Sequence, residues 1–357
     1  MSWYDKSSME VLLAEKVIDF LRKSMEVRKK QSIRVFERVA YISPESIKIT
    51  NYLRRKPVVA FNPGAVVEDD KLLIFPRLIF DYYWYISSIG VFEVDMKELL
   101  EPKGVLDEEY PTRIVIWTSE PWELVGCEDP RVVKHNGKYH VLYTARAITD
   151  MDGHYKPLQG YAVLDEDFNV VSKKYFRITH KGLEFLPQSW KDSAFLEFKG
   201  KHASMLTRPS IFSKIGLIEV IWWGVADIEN ATMELETLRP VVPLEKWELK
   251  MGLSTNAVKI SSNEFLVGWH SVTEDFIYRN GLAVFDSDGN LLGITNYLLE
   301  PSGLIESYGD RPGVIFGNGL VQYKEYIYWI GGISDYAIGI FRAPLDRILE
   351  NMKWLKG

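Results

Sequence analysis

A single cysteine, Cys127, occurs in 357 residues, so no disulfide can close within the chain. That fits a reducing, cytoplasmic compartment. The thiol sits next to Glu128 with no cation beside it to favour a thiolate, and it reads as a small buried residue rather than a nucleophile. Histidine is also scarce. The six present show no His-x-x-x-His spacing, and with one cysteine there is no Cys-x-x-Cys, so no metal is expected. No glycine-rich loop leads into a helix as a nucleotide phosphate would require, and no Gly-x-Ser-x-Gly elbow marks a serine hydrolase. No apolar run is long enough to span a membrane, and Asp5, Glu10, Glu15 and Asp19 break up the N-terminal apolar residues, so a signal peptide is not expected. A net charge of −6 argues against a partner held by nucleic-acid phosphates.

Aromatic residues, by contrast, are abundant: 11 Trp, 19 Tyr and 17 Phe. Many must form core, and a surplus of Trp and Tyr also suits stacking on the apolar faces of sugar rings. From about Ser8 to Lys30, apolar residues recur at helical spacing and basic residues gather toward the end, which predicts an N-terminal helical extension over residues 1–32. This helix either packs on the body of the protein or mediates a homo-oligomer contact. Beyond it the character changes to short strands, and a unit of strand, turn, strand, loop, strand recurs roughly every 60 residues. The units begin near Asn62, Glu128, Lys191, Asn256 and Pro312. Five such units predict an all-β, five-bladed β-propeller over residues 33–357, with a β-sandwich as the competing fold. The first strand of each blade would line the axis. The polar residues just before those strands (Asn62, Asp129 with Arg131, Lys191 with Asp192, Asn256 and Arg311) would then converge at one mouth.

The second unit is the most informative. Gly126-Cys127-Glu128-Asp129-Pro130-Arg131 leads into a β-rich run, then Asn136-Gly137, then Lys138-Tyr139-His140-Val141-Leu142-Tyr143-Thr144-Ala145-Arg146. Asn-Gly between such runs is a two-residue hairpin signal, because both positions of a type I′ turn need positive φ. Two carboxylates and a guanidinium within four residues are costly to bury unless paired or used. Along the whole chain, Asp129, Asp192, Glu306 and Asp335 are candidate acids near the expected mouth, and Lys191, Arg208, Lys250 and His270 are candidate cations.

In order and spacing the chain resembles glycoside hydrolase family 130, the β-mannoside phosphorylases and related mannosidases. The resemblance rests on Glu128-Asp129-Pro130-Arg131, Phe75-Pro76-Arg77 with Ser87-Ser88-Ile89-Gly90, Lys191-Asp192-Ser193-Ala194 and Arg208-Pro209. It continues through Trp247-Glu248-Leu249-Lys250-Met251-Gly252, Trp269-His270, Tyr278-Arg279-Asn280-Gly281, Glu306 with Tyr308-Gly309, and Ser334-Asp335. It implies a five-bladed propeller and a general acid at Asp129, whose proton passes through a mannose hydroxyl in the phosphorylases. It further implies phosphate contacts from Lys191, Arg208, Lys250 and His270, sugar contacts from Asn62, Arg77, Asp192, Tyr278 and Asp335, with Glu306 a further substrate-side carboxylate, and no metal or organic cofactor. The chain departs from the family pattern at Gly252-Leu253-Ser254-Thr255-Asn256, at Trp269-His270-Ser271, and in a longer segment around Asp150-Met151-Asp152-Gly153-His154, all expected to shape the acceptor side.

The leading expectation is therefore an inverting phosphorylase that cleaves a β-mannoside of a mannose-containing oligosaccharide, with inorganic phosphate as co-substrate. Phosphate is already an anion and needs cations rather than a base, whereas water needs a second carboxylate on the opposite ring face. A β-mannoside hydrolase with Glu306 as base is the alternative, although a structural or hydroxyl-binding role is the favoured reading of that carboxylate, followed by a non-catalytic carbohydrate-binding propeller.

Overall fold

A computed structural model of the chain describes residues 3–148 and 155–355. The segment 150–154 therefore lies outside the described residues. The described strands form five sheets, each with one edge strand turned inward. We label these inner strands β1 (Val59–Glu68), β2 (Cys127–His135), β3 (Ser189–Lys199), β4 (Glu248–Ser261) and β5 (Ile315–Tyr323). They pack around a common centre and the sheets radiate from it, giving an all-β, propeller-like architecture. Side chains stitch neighbouring inner strands together. Asn318 Nδ2 on β5 donates to the Asn62 carbonyl on β1 at 2.8 Å, and the Asn256 amide exchanges hydrogen bonds of 2.9 and 2.8 Å with the Leu320 backbone. The approach is close enough at Gly64 that a Cβ there would lie 2.6 Å from the Pro130 carbonyl oxygen.

Both faces of each sheet are covered by neighbouring sheets, which is why the strands read as near-continuous apolar runs such as Leu72–Phe75. Two sheets are completed by distant parts of the chain. Glu37–Ile42 pairs antiparallel with Ala337–Pro344, and Met352–Trp354 pairs antiparallel with Leu291–Thr295. Sequence periodicity gives no hint of these closures, since each contributes only one strand to a unit begun elsewhere.

One helix, α1 (Trp3–Lys23), lies on the outside of the third sheet. Met9, Leu13 and Val17 repeat at helical spacing and are fully buried among Trp222, Met233, Leu235 and Leu238. Each contributes roughly 1.5–3 kcal/mol of burial. The helix expected to reach Lys30 stops at Lys23. Beyond it, the Val27 and Arg28 amides donate to Glu245 Oε1 at 2.9 and 2.7 Å, and the buried Arg28 guanidinium pairs with Glu248. A buried ion pair of this kind cannot be made while the helix continues outward, so the segment extends as a strap.

The Asn136-Gly137 hairpin forms as expected, with φ of 48° and 72°. The inner strands share a feature that the sequence pattern does not display. Each carries a register break, at Phe61/Gly64, Glu128/Arg131, Lys191/Ala194, Leu253/Ala257 and Gly317/Gly319. In three of them the break holds a non-glycine residue in the left-handed region: Asn62 (φ 44°), Asp129 (φ 54°) and Asp192 (φ 56°). Asn and Asp tolerate that conformation better than other residues, and a bulge re-aims the side chain it carries. The polar residues expected just ahead of the strands are thus inside them, at a bulge near the inner strand's start.

Candidate active site

The bulges of β1, β2 and β3 deliver Asn62, Asp129 and Asp192 to a cavity of about 170 Å³. Ten of the eleven residues expected at the site line it: Asn62, Arg77, Asp129, Lys191, Asp192, Arg208, Lys250, His270, Tyr278 and Asp335. Glu128, Arg311, Val314 and Phe316 complete the wall. Asn256, expected at the same mouth, is not among the lining residues because its amide is spent on the Leu320 backbone.

Asp129 is held from one side. Its Oδ1 accepts from Asn62 Nδ2 at 3.0 Å and from Arg77 Nη1 at 3.3 Å. Arg77 is itself fixed by Ser87 Oγ at 2.9 Å and by Glu128 Oε1 at 2.8 Å, an oxygen it shares with Arg146. Despite burial, Glu128, Asp129 and Asp335 hold the Arg77 guanidinium firmly protonated. Asp335, on the left-handed turn at φ 50°, is pushed up to about 6: burial is the main cause, the nearby Asp129 adds to it, and Arg77 opposes it.

The opposite wall is built from β3, β4 and the strands paired with them. Arg208 sits within His202–Ser213, fully buried, with Nη2 at 2.7 Å from Asp192 Oδ2 and Nη1 at 2.9 Å from Glu219 Oε1. Its Nε has no hydrogen-bond partner among the described residues. Arg131 reaches the other Asp192 oxygen at 3.1 Å and the carbonyls of Ser254 and Leu253 at 2.9 and 3.0 Å. Burial alone would raise the Asp192 carboxyl, but Arg208 and Arg131 overcome it and keep it ionised far below the usual range. Gly252 is required here, since a Cβ would meet Asp192 Oδ2 and the His270 ring at 2.8 Å each.

His270 lies in this wall, stacked on Tyr278 with centroids 5.5 Å apart and Nδ1 3.2 Å from Ser254 Oγ. Burial drives its imidazole well below its ordinary value; Asp192 opposes this, while Arg208 and Lys250 reinforce it. His270 is therefore a neutral hydrogen-bonding group, burial having settled the state of a residue that otherwise titrates near neutrality. Lys191 and Lys250 reach the cavity and form no ion pair among the described residues; Lys250 Nζ lies 5.4 Å from the Tyr278 ring centroid.

Glu306 is the exception among the expected residues. Its carboxylate is fully buried, accepting from Arg38 Nε and Nη2 at 3.0 Å each, from Tyr41 Oη at 2.7 Å and from the Ser302 amide at 2.7 Å. With every lone pair engaged and no face on the cavity, it can neither activate water nor contact a sugar there. Arg131 and Glu128 were visible as charges beside Asp129, but their orienting roles depend on partners in other sheets. Cys127 is buried, and its thiol is pushed up by burial and the nearby Glu123, as expected of an inert residue. No three His, Cys, Asp or Glu side chains gather into a metal-binding group among the described residues.

The propeller-like ring thus gathers a carboxylate and a cationic wall in one cavity on its inner strands. Residues 26–354 match the family model described as beta-1,4-mannooligosaccharide phosphorylase, and the chain belongs to glycoside hydrolase family 130. Two curated relatives come from a Thermoanaerobacter species. A beta-1,2-mannobiose phosphorylase is 25% identical over 306 residues, covering 81% of this chain and 91% of the relative. A 1,2-beta-oligomannan phosphorylase is 26% identical over 228 residues, covering 61% of this chain and 68% of the relative. Among solved structures, the beta-1,2-mannobiose phosphorylase of Listeria innocua superposes with a TM-score of 0.67 at 18% identity, covering 87% of this chain and 96% of that one, and shares the fold.

Proposed function

We propose that the protein is an inverting β-mannoside phosphorylase, and that its five sheets are the blades of a five-bladed propeller. The observation that carries the activity is the pair of uncommitted lysines, Lys191 and Lys250, in the same small cavity as Asp129. Carboxylates already neutralise Arg77 and Arg208, so an incoming anion would find its net positive charge at the lysines and at Arg311, which lines the same cavity without an ion pair among the described residues. Phosphate bound there attacks the anomeric carbon. The bond to the leaving sugar breaks, a carbon–oxygen bond to phosphate forms with inversion, and the Asp129 proton goes to the departing oxygen, directly or through a sugar hydroxyl. The two relatives are named as phosphorylases of β-1,2-linked mannosides, while the family description names a β-1,4 linkage.

The hydrolase alternative loses its expected base, because Glu306 is sealed behind Arg38 and Tyr41. The test is product release from β-1,2- and β-1,4-linked mannobiose with and without phosphate. Mannose 1-phosphate formed only when phosphate is present is the expected result. Free mannose released at the same rate without phosphate would replace the phosphorylase with a hydrolase, and no turnover with either would leave a binding propeller. α1 leaves Val11 and Leu12 exposed, and sedimentation velocity tests self-association through that face.

A further inference from the structure

The catalytic cavity, at about 170 Å³, is smaller than pockets that enclose a ligand, typically roughly 300–1,000 Å³. A second hollow of about 810 Å³ opens beside it, within that range. It is built on the segment 80–86, which joins strands Lys71–Ile79 and Ser87–Asp95, and on the residues that follow Tyr110–Ile116. Arg77 lies near the end of the first of these strands and pairs with Ile89, which in turn pairs with Ile116. Cavity and hollow therefore share one end of the first sheet.

The two are joined through named side chains. Ser87 lines the hollow, and its hydroxyl accepts from Arg77 Nε. Tyr85 turns the other way, lying over the Arg77 guanidinium at 5.4 Å and donating to Asp310 Oδ2 at 3.3 Å. The same short segment thus presents one face to the cavity and one to the hollow. The hollow's walls are Tyr52, Tyr83, Trp84 and Trp117, with Trp84 61% and Trp117 50% exposed. Exposed aromatic rings at this density are not core. Between them, Ser88 is 9% exposed, and its Oγ has no hydrogen-bond partner among the described residues.

We propose that this hollow is a remote subsite for the distal sugar units of a mannooligosaccharide whose terminal unit occupies the catalytic cavity; the proposal rests on the β-mannoside reading above. A pyranose matches the hollow's lining, with an apolar C–H face for the indole rings and hydroxyls for the lining Asp81 and Thr118, which remain accessible where Ser88 Oγ does not.

The experiment is calorimetric titration, without phosphate, of the wild-type protein and the Trp84→Ala/Trp117→Ala variant with mannobiose and mannotetraose of both β-1,2 and β-1,4 linkage. Wild type should bind tetraose of one linkage about tenfold more tightly than biose, and the double variant should bind the two equally, since ring stacking of this kind is worth about 0.5–1.5 kcal/mol per pair. Trp84→Phe/Trp117→Phe should keep most of the preference, which separates stacking from misfolding. No tetraose binding, no preference in wild type, or a preference that survives in the alanine variant overturns the subsite. So does a shift from dimer to monomer in the alanine variant with the preference intact, which makes the hollow an interface between two copies. Phosphorolysis measured in parallel keeps the two readings apart. A chain-length preference without phosphate-dependent turnover retains the subsite and removes the phosphorylase, and turnover without the preference does the reverse.

Discussion

Two buried arginines line the cavity, and each is clamped by two carboxylates: Arg77 by Glu128 and Asp129, Arg208 by Asp192 and Glu219. Their surroundings are opposite in sign. Beside Arg77 lies a further acid, Asp335, pushed up to about 6. Beside Arg208 lie Arg131, Lys191 and Lys250, with the neutral His270 stacked on Tyr278 and Arg311 lying over the same ring at 5.0 Å. Each clamp sets one guanidinium against two carboxylates and so carries the same net charge of −1 on both walls, which means it sets position rather than function. What the third and fourth charges are decides whether a wall handles protons or an anion.

The largest effect expected from breaking the proton-handling side is at Asp129. Asp129→Asn keeps an oxygen for the Asn62 and Arg77 hydrogen bonds but has no acid proton to give. Turnover should fall by about a hundred- to ten-thousand-fold while thermal unfolding stays near wild type. A folded variant with near wild-type turnover would remove Asp129 from the mechanism.

On the anion side, Lys191→Ala and Lys250→Ala should each raise the KM for phosphate about ten- to hundredfold with little change in sugar affinity, the worth of one charged hydrogen bond. Arg208→Ala should behave differently. It leaves Glu219 without its cation and Asp192 with Arg131 alone, so about 3–5 kcal/mol of stability should go with it. Equal stability losses for the lysines and the arginine in denaturant titrations would show that the lysines are structural too.

Asp335 sharpens the comparison through pH. Its folded value lies above its ordinary 3.8, at about 6, so the folded state binds the proton more tightly than the unfolded chain does. The stability this contributes is fully present below about pH 4 and is lost as pH rises through about 6, amounting to about 3 kcal/mol at most. Asp335→Asn should flatten that decline in unfolding free energy between pH 4 and 6. An unchanged slope would mean that Asp335 is not held in a raised state.

Much of this site was legible in the chain. The repeat placed Asn62, Asp129 and Asp192 at matching points of successive units, and these are the residues the bulges turn inward. The repeat carries the position of each residue but not the local geometry, because a bulge changes pairing without changing residue spacing along its own strand. Electrostatic state was not legible. His270 titrates near neutrality by type and is held neutral by burial, and burial arises from sheets far apart in sequence. Nor were the closures by Glu37–Ile42 and Met352–Trp354, each a lone strand far from its partners. The strap after Lys23 follows the same logic, since Glu245 and Glu248, which draw Arg28 inward, lie more than two hundred residues away.

Glu306 gives the smallest expected effect on activity and the clearest lesson. By type and position it is a candidate base near Asp335, and Ser334 Oγ donates to its backbone carbonyl at 2.8 Å. Its side chain nevertheless points away from the cavity, into Arg38 and Tyr41, from a helix of five residues, Gly303–Ser307. Glu306→Gln keeps one acceptor oxygen, so it can satisfy either Tyr41 with Arg38 Nε or the Ser302 amide with Arg38 Nη2 but not both, and it loses the charge facing Arg38. Arg38 is partly solvated, with 25% of its side chain exposed, so water can recover part of that loss. Stability should fall by about 1–3 kcal/mol, the worth of hydrogen bonds to a charged group. Turnover per folded molecule, with phosphate or without it, should not change. A selective loss of phosphate-independent release in a folded Glu306→Gln protein would show that the carboxylate reaches the sugar after all, and would restore it as the base of a hydrolase.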